Sequence, residues 1–181
     1  MRIRYITGRG GELERGLSLH LSEQAVDYQG LAINRAFLAQ SLAYQIDLVR
    51  QHALSAEEGY LIANSYGAYL LMLSLIDASI VPDRVLLISP VLCTAIVPTR
   101  MSSFRPPQAN RLKLAIAEGR VVKPSYLRVI TGEDDPICCP NLARFVAKQM
   151  NIDQLDIISE AGHNLPKDTL DDMLQEFLTR P

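Results

Sequence analysis

Three kinds of side chain that can carry acyl-transfer chemistry stand in informative places in this sequence. Ser65 lies in Ala63-Asn64-Ser65-Tyr66-Gly67-Ala68, with small residues two before and two after it. That spacing matches G-x-S-x-G, a strained strand-to-helix turn, with alanine in place of the first glycine. Small residues are needed there because strand and helix approach closely. The serine is lifted out of the sheet, and the next backbone N–H, that of Tyr66, points where an oxyanion would form. A helix N-terminus at that place favours negative charge by roughly 0.3–1 kcal/mol. Asp134 and Asp135 follow Gly132 in Thr131-Gly132-Glu133-Asp134-Asp135-Pro136-Ile137, and His163 follows Gly162 in Glu160-Ala161-Gly162-His163-Asn164. Serine, histidine and carboxylate together form the set needed for nucleophilic acyl transfer. Singly, each has an ordinary explanation: a serine can simply begin a helix, and an aspartate or histidine near glycine can simply form a turn.

The elements around these residues decide between the two explanations. Apolar runs and helical stretches alternate along the chain. Strands are expected at Arg2–Thr7, Gln24–Tyr28, Tyr60–Asn64, Arg84–Ser89, Leu127–Thr131 and Gln154–Ser159. Helices are expected around Glu12–Leu17, from an Asn34 cap to about Gln51, over Gly67–Ala78, Gln108–Glu118 and Asn141–Met150, and over Asp168–Thr179. Strands alternating with helices imply a parallel sheet with helices on both faces, because parallel neighbours need crossover connections. In such a sheet, ligands bind beyond the carboxyl ends of the strands. A residue of the site should therefore follow a strand. Of the three histidines, His20 and His52 precede strands and only His163 follows one. Asp134 and Asp135 follow a strand, whereas Asp83 precedes one, Asp156 lies within one and Asp77 ends a helix. Ser65 leads from strand to helix without a spacer; Ser89 also ends a strand, but Pro90 comes next.

Size and composition bound the class. At 181 residues, 48% apolar and 21% charged, the chain is read as one soluble globular domain. A domain of that size buries roughly 70% of the surface its unfolded chain exposes. The net charge of −2 argues against a general nucleic-acid binder, which needs a basic surface. Cys93, Cys138 and Cys139 are too few for a disulfide framework, and unpaired thiols suit a reducing compartment. The start, MRIRYITGRGG, lacks the apolar run of a signal peptide. Ala68–Val81 is too short to span a bilayer and carries Asp77. The expected setting is the cytoplasm, with no membrane and no nucleic acid. No metal-ligand cluster and no cofactor motif is present, so the expected partner is a small molecule.

One segment breaks the alternation. Residues 91–124 carry Pro98, Pro106 and Pro107, the arginines Arg100, Arg105, Arg111 and Arg120, and a single good helix. A connection this long is a lid over the site or a surface excursion with one packed helix. Arg9, Arg100 and Arg105 read either as solvated surface, the plainer choice, or as attractors of an acidic substrate group.

The elbow at Ser65, the Gly132-to-Pro136 stretch, Gly162-His163 and the chain order Ser, Asp, His resemble the α/β-hydrolase superfamily in its short, truncated members. The resemblance covers most of the chain. It implies a three-layer α/β/α fold on a six-stranded parallel sheet in the order 2-1-3-4-5-6. It implies a triad of Ser65, Asp135 and His163, with Asp135 as the acid because it stands just before Pro136, and with Asp134 as its neighbour in the loop. It further implies an oxyanion hole from the backbone N–H groups of Arg9 and Tyr66, Arg9 lying in Thr7-Gly8-Arg9-Gly10-Gly11. Thr7 stands where the family usually has histidine. A few members carry the acid one strand earlier, and Ser89-Pro90 offers no carboxylate there. The implied activity is hydrolysis of a small carboxylic ester or thioester. Two alternatives stay open: a fold of this kind that binds without turnover, favoured by Ala63 and Thr7, and a flavodoxin-like binding domain.

Overall fold

The computed structural model describes residues 2–55, 59–92 and 106–179. Six strands form one sheet: β1 (Ile3–Ile6), β2 (Tyr28–Leu31), β3 (Tyr60–Asn64), β4 (Arg84–Ile88), β5 (Tyr126–Gly132) and β6 (Gln154–Ile158). Their order is β2-β1-β3-β4-β5-β6, and every pairing is parallel. The helices are α1 (Leu17–Glu23), α2 (Arg35–Leu38), α3 (Leu42–Leu54), α4 (Ser65–Ser74), α5 (Ala109–Ala117), α6 (Pro140–Met150) and α7 (Lys167–Thr179).

The period of two along each strand sorts the core into two layers. Leu61, Ala63, Val85, Leu87, Leu127 and Val129 join one buried cluster, with side chains from α2 to α6. Ile62, Leu86, Ile88 and Ile130 point the other way, to Leu21 of α1 and Met173, Leu174 and Phe177 of α7. Helix α4 is buried all round, so its position is fixed by packing on every side. Each of its large apolar side chains contributes about 1.5–3 kcal/mol by leaving water. The expected three-layer architecture and strand order are those observed.

Several boundaries differ from expectation, each for a local reason. The first helix runs Leu17–Glu23 rather than Glu12–Leu17, because Leu17, Ser18 and Leu21 present the face that packs, whereas Glu14 and Arg15 are exposed. That helix and the turn at Ala25, where φ is +55°, consume the residues expected in the second strand, which forms at Tyr28–Leu31 instead. The long helix expected from Asn34 is two helices. Asn34 Oδ1 accepts from Phe37 N at 3.1 Å to cap α2, and Ser41 Oγ accepts from Tyr44 N at 3.3 Å to cap α3. Helix α4 stops at Ser74, short of Ala78. Leu75 and Ile76 stay buried, but the chain turns to pair Ile76 with Val121, and Val122 N donates to Leu75 O at 3.0 Å.

Of the excursion 91–124, residues 93–105 lie outside the described residues, with Cys93, Pro98, Arg100 and Arg105 among them. Its described remainder packs: Leu112, Ala115, Ile116 and Val121 are buried in the core.

Candidate active site

β3 runs into α4 with no residue between them, so Ser65 must reverse the chain within one step. Its φ of +50° lies in the left-handed region, which costs a non-glycine residue about 1–2 kcal/mol. The turn is that tight because helix and sheet touch: a Cβ on Gly67 would lie 2.2 Å from the carbonyl oxygen of Thr7. Asn64, the residue before the helix, makes no capping hydrogen bond with its side chain. The opening of α4 thus faces the end of the sheet with its dipole.

The other two side chains arrive on neighbouring loops. Asp135 follows β5 and His163 follows β6, and the two loops are stitched together. Glu133 N donates to Ile158 O at 2.8 Å and Asp134 N to Ala161 O at 2.9 Å. A Cβ on Gly132 would lie 2.1 Å from Ala161 O, so only glycine permits this approach. Asp134 is exposed and enters the loop through its main chain, whereas the Asp135 carboxylate is fully buried.

The three groups meet in a line. Ser65 Oγ lies 2.9 Å from His163 Nε2, and His163 Nδ1 lies 2.9 Å from Asp135 Oδ2 and 3.1 Å from Oδ1. Asp135 Oδ1 accepts from Ile137 N at 2.7 Å and Cys138 N at 2.9 Å, and Thr131 Oγ1 lies 3.4 Å from Oδ2. A buried carboxylate needs such partners to remain charged. Because the carboxylate can only accept, the imidazole proton sits on Nδ1, and Nε2 is left to accept from the serine hydroxyl. This order of donors lets a proton leave Ser65 for His163 while Asp135 holds the ring.

The serine hydrolase family matches residues 31–172 of the chain. The chain belongs to that family. Its fold recurs in the ydeN gene product of Bacillus subtilis, with 17% identity over 99% of both chains and a TM-score of 0.69. It recurs also in a monoacylglycerol lipase of Paleococcus ferrophilus, with 13% identity, 98% and 93% coverage and a TM-score of 0.70. The carboxylesterase CesB of B. subtilis shares it at 15% identity, with 98% of this chain and 83% of that one covered and a TM-score of 0.63. At such identities these likenesses speak for the fold. No curated protein matched the sequence.

In this serine hydrolase a cleft of about 470 Å³ opens beside Ser65 and His163. Its wall is the loop after β1, from Thr7 to Gly11, together with Glu12, Arg15 and the start of α1. Thr7 braces that loop. Its Oγ1 accepts from Ile33 N at 2.8 Å and donates to Gly8 O at 3.1 Å. Gly10 N donates to Ile33 O and Gly11 N to Gly8 O, which leaves Arg9 at the tip, exposed and on the cleft. Burial pushes the Tyr66 phenol upward, while the positive charge of Arg9 pulls the other way.

The remaining candidates lie elsewhere. His20 is buried between α1 and α7, with Nε2 2.8 Å from Asp171 Oδ1. His52 sits near the far edge of the sheet beside Arg4. Burial pushes the Cys138 thiol up to about 12, so it stays protonated and is no competing nucleophile. Among the described residues no cluster of His, Cys, Asp or Glu could hold a metal ion, and no helix is long and apolar enough to cross a membrane. Sequence reasoning passed over Ser89, which is fully buried and donates from Oγ to His163 O at 2.8 Å. Its place at the end of β4, on the same rim as the other three, was the available signal.

Proposed function

We propose that this hydrolase cleaves a small carboxylic ester or thioester through a Ser65-His163-Asp135 triad and an acyl-enzyme. The carrying observation is the unbroken line of contacts from Ser65 Oγ to His163 to the buried carboxylate of Asp135. His163 Nε2 takes the proton of Ser65 as Oγ attacks the carbonyl carbon, and Asp135 stabilises the imidazolium. The tetrahedral oxyanion is held by the backbone N–H groups of Arg9 and Tyr66. Collapse expels the alcohol or thiol, which receives the proton from His163. Water then attacks the acyl-enzyme, giving up a proton to His163, and the acid departs as Ser65 is restored.

The cleft suggests a preference within that class. Among the described residues that line it, two cations, Arg9 and Arg15, stand with one carboxylate, Glu12. A substrate with an acidic group is the better match to that wall. The free thiols of Cys138 and Cys139 suit the reducing cytoplasm, where we place the reaction.

A fluorophosphonate probe tests this reading. Wild-type protein should be labelled and Ser65→Ala should not, and the variant should lose about 10⁴–10⁶-fold in kcat on an activated ester with its fold intact. A wild-type protein that neither takes the probe nor turns over such esters is a binding protein on a hydrolase scaffold instead.

A further inference from the structure

The turn Ser89-Pro90-Val91 grips the main chain of both residues that share the central contact of the site. Ser89 Oγ donates to the backbone carbonyl of His163 at 2.8 Å, and Val91 N donates to the backbone carbonyl of Ser65 at 3.1 Å. Pro90 between them has no N–H to divert and holds its own φ near −65°. The turn is anchored at both ends. Ser89 N continues the β4–β5 pairing by donating to Ile130 O at 2.8 Å, and Val91 and Leu92 are buried in the core.

Two details separate this from ordinary packing. Ser89 adopts a φ of +42°, where a side chain is seldom tolerated and glycine would be the natural occupant. A side chain is nevertheless present, fully buried, and its hydroxyl is spent on His163. The main chain of the loop that needs the grip is tied to the β5 loop upstream of the imidazole, at Ile158 and Ala161, with Gly162 between those ties and His163.

We propose that Ser89 is a positioning residue, which fixes the backbone of His163 relative to that of Ser65 so that Nε2 meets Oγ at hydrogen-bonding distance. The proposal rests on the triad reading for its effect on rate, but not for its effect on geometry. A displacement of about 1 Å between reacting groups can cost on the order of 10²-fold in rate.

The test compares Ser89→Ala with Ser89→Gly. Both remove the hydroxyl, but glycine also relieves the backbone, so a purely structural role predicts a healthier glycine variant. Positioning predicts that both lose about 10–100-fold in kcat and in the rate of fluorophosphonate labelling, with KM moving less than about threefold. It also predicts that the low-field proton NMR signal of His163 Nδ1–H weakens or broadens in both, even where the glycine variant melts no lower than wild type. Folded variants that keep kcat within about threefold of wild type and an unchanged low-field signal overturn the proposal. Should the wild type show neither turnover nor labelling, the triad reading fails, and the NMR comparison alone still decides whether Ser89 holds the imidazole in place.

Discussion

The two ends of the sheet both carry buried polar side chains and treat them in opposite ways. At the amino ends of the strands the polar groups are closed off. Half-buried Arg84 lies over the rings of Tyr60, Tyr126 and Phe177, at 5.2, 4.6 and 5.9 Å from their centroids. Arg4 donates from Nε to Ser55 Oγ at 2.9 Å, and Arg128 pairs with Asp156 at 2.7 Å and Glu176 at 2.9 Å. At the carboxyl ends the groups are instead held ready around an opening. Ser65 and Ser89 take positive φ, Gly67 and Gly132 admit contacts no side chain would allow, and a cleft lies alongside. Stacking on rings and pairing with carboxylates close off the cations; the strained serines beside a mostly buried imidazole carry a cost, and such strain persists where the surroundings impose it. Buried polarity alone therefore does not mark a site. The candidate site is where buried polarity coincides with backbone strain and an opening.

The sharpest way to break this contrast is to disarm one rim and leave the fold alone. Asp135→Asn keeps the shape of the side chain but can donate to the imidazole, favouring the tautomer with the proton on Nε2. That nitrogen could then no longer accept from Ser65. We expect kcat to fall by about 10⁴-fold with little change in melting temperature. A loss below about tenfold would mean that Asp135 is a structural loop residue, on a par with the ion pairs of the opposite edge.

The opposite edge should answer to pH through stability instead. Burial, reinforced by the charge of Arg4, lowers His52 from 6.5 to about 4. The unfolded chain therefore binds this proton first as the solution is acidified. The stability that neutral His52 lends is fully present above pH 6.5, falls as pH drops from 6.5 toward 4, and falls no further below that. The shift sets a ceiling near 3 kcal/mol, and solvent reaching the partly exposed ring leaves about 1–2 kcal/mol. Denaturant unfolding at pH 7.5 and 4.5 should show this loss in wild type and a smaller one in His52→Gln. Equal losses in the two proteins would remove His52 from the account.

What could be read in advance follows the same division. Ser65, Asp135 and His163 stand out because each lies at a strand's end among small or turn-forming residues, and turn chemistry is written in local sequence. Five of the six strands lie where the apolar runs put them. The second was misplaced because Tyr28-Gln29-Gly30-Leu31 contains a glycine and has only one fully aliphatic side chain, and because α1 and its turn occupy the stretch that looked more β-like. Ser89 was legible as a serine at a strand's end, but its role was not. Its partners are main-chain carbonyls, which every residue owns, so no pairing of residue types reveals the contact. The brace at Thr7 escaped notice on the same ground, since its hydroxyl binds Ile33 N and Gly8 O rather than another side chain.

The smallest expected effect concerns the cleft wall, where the reactive rim meets solvent. Arg9 and Arg15 are exposed, so water and salt screen their charge, and each is worth about 0.2–1 kcal/mol to a bound anion. That converts to roughly a one-and-a-half- to fivefold change in binding. Arg9→Gln should therefore raise KM for a hydrogen-succinate ester by about two- to fivefold while the matching acetate ester moves less. The gap between the two esters in wild type should narrow as ionic strength rises from 0.01 to 1 M, since the screening length shrinks from about 30 to 3 Å. A neutral ester that suffers as much as the charged one would point to lost loop structure around Arg9. An unchanged ratio at every salt concentration would show that these arginines, like those at the far edge, serve the protein's own surface and not its substrate.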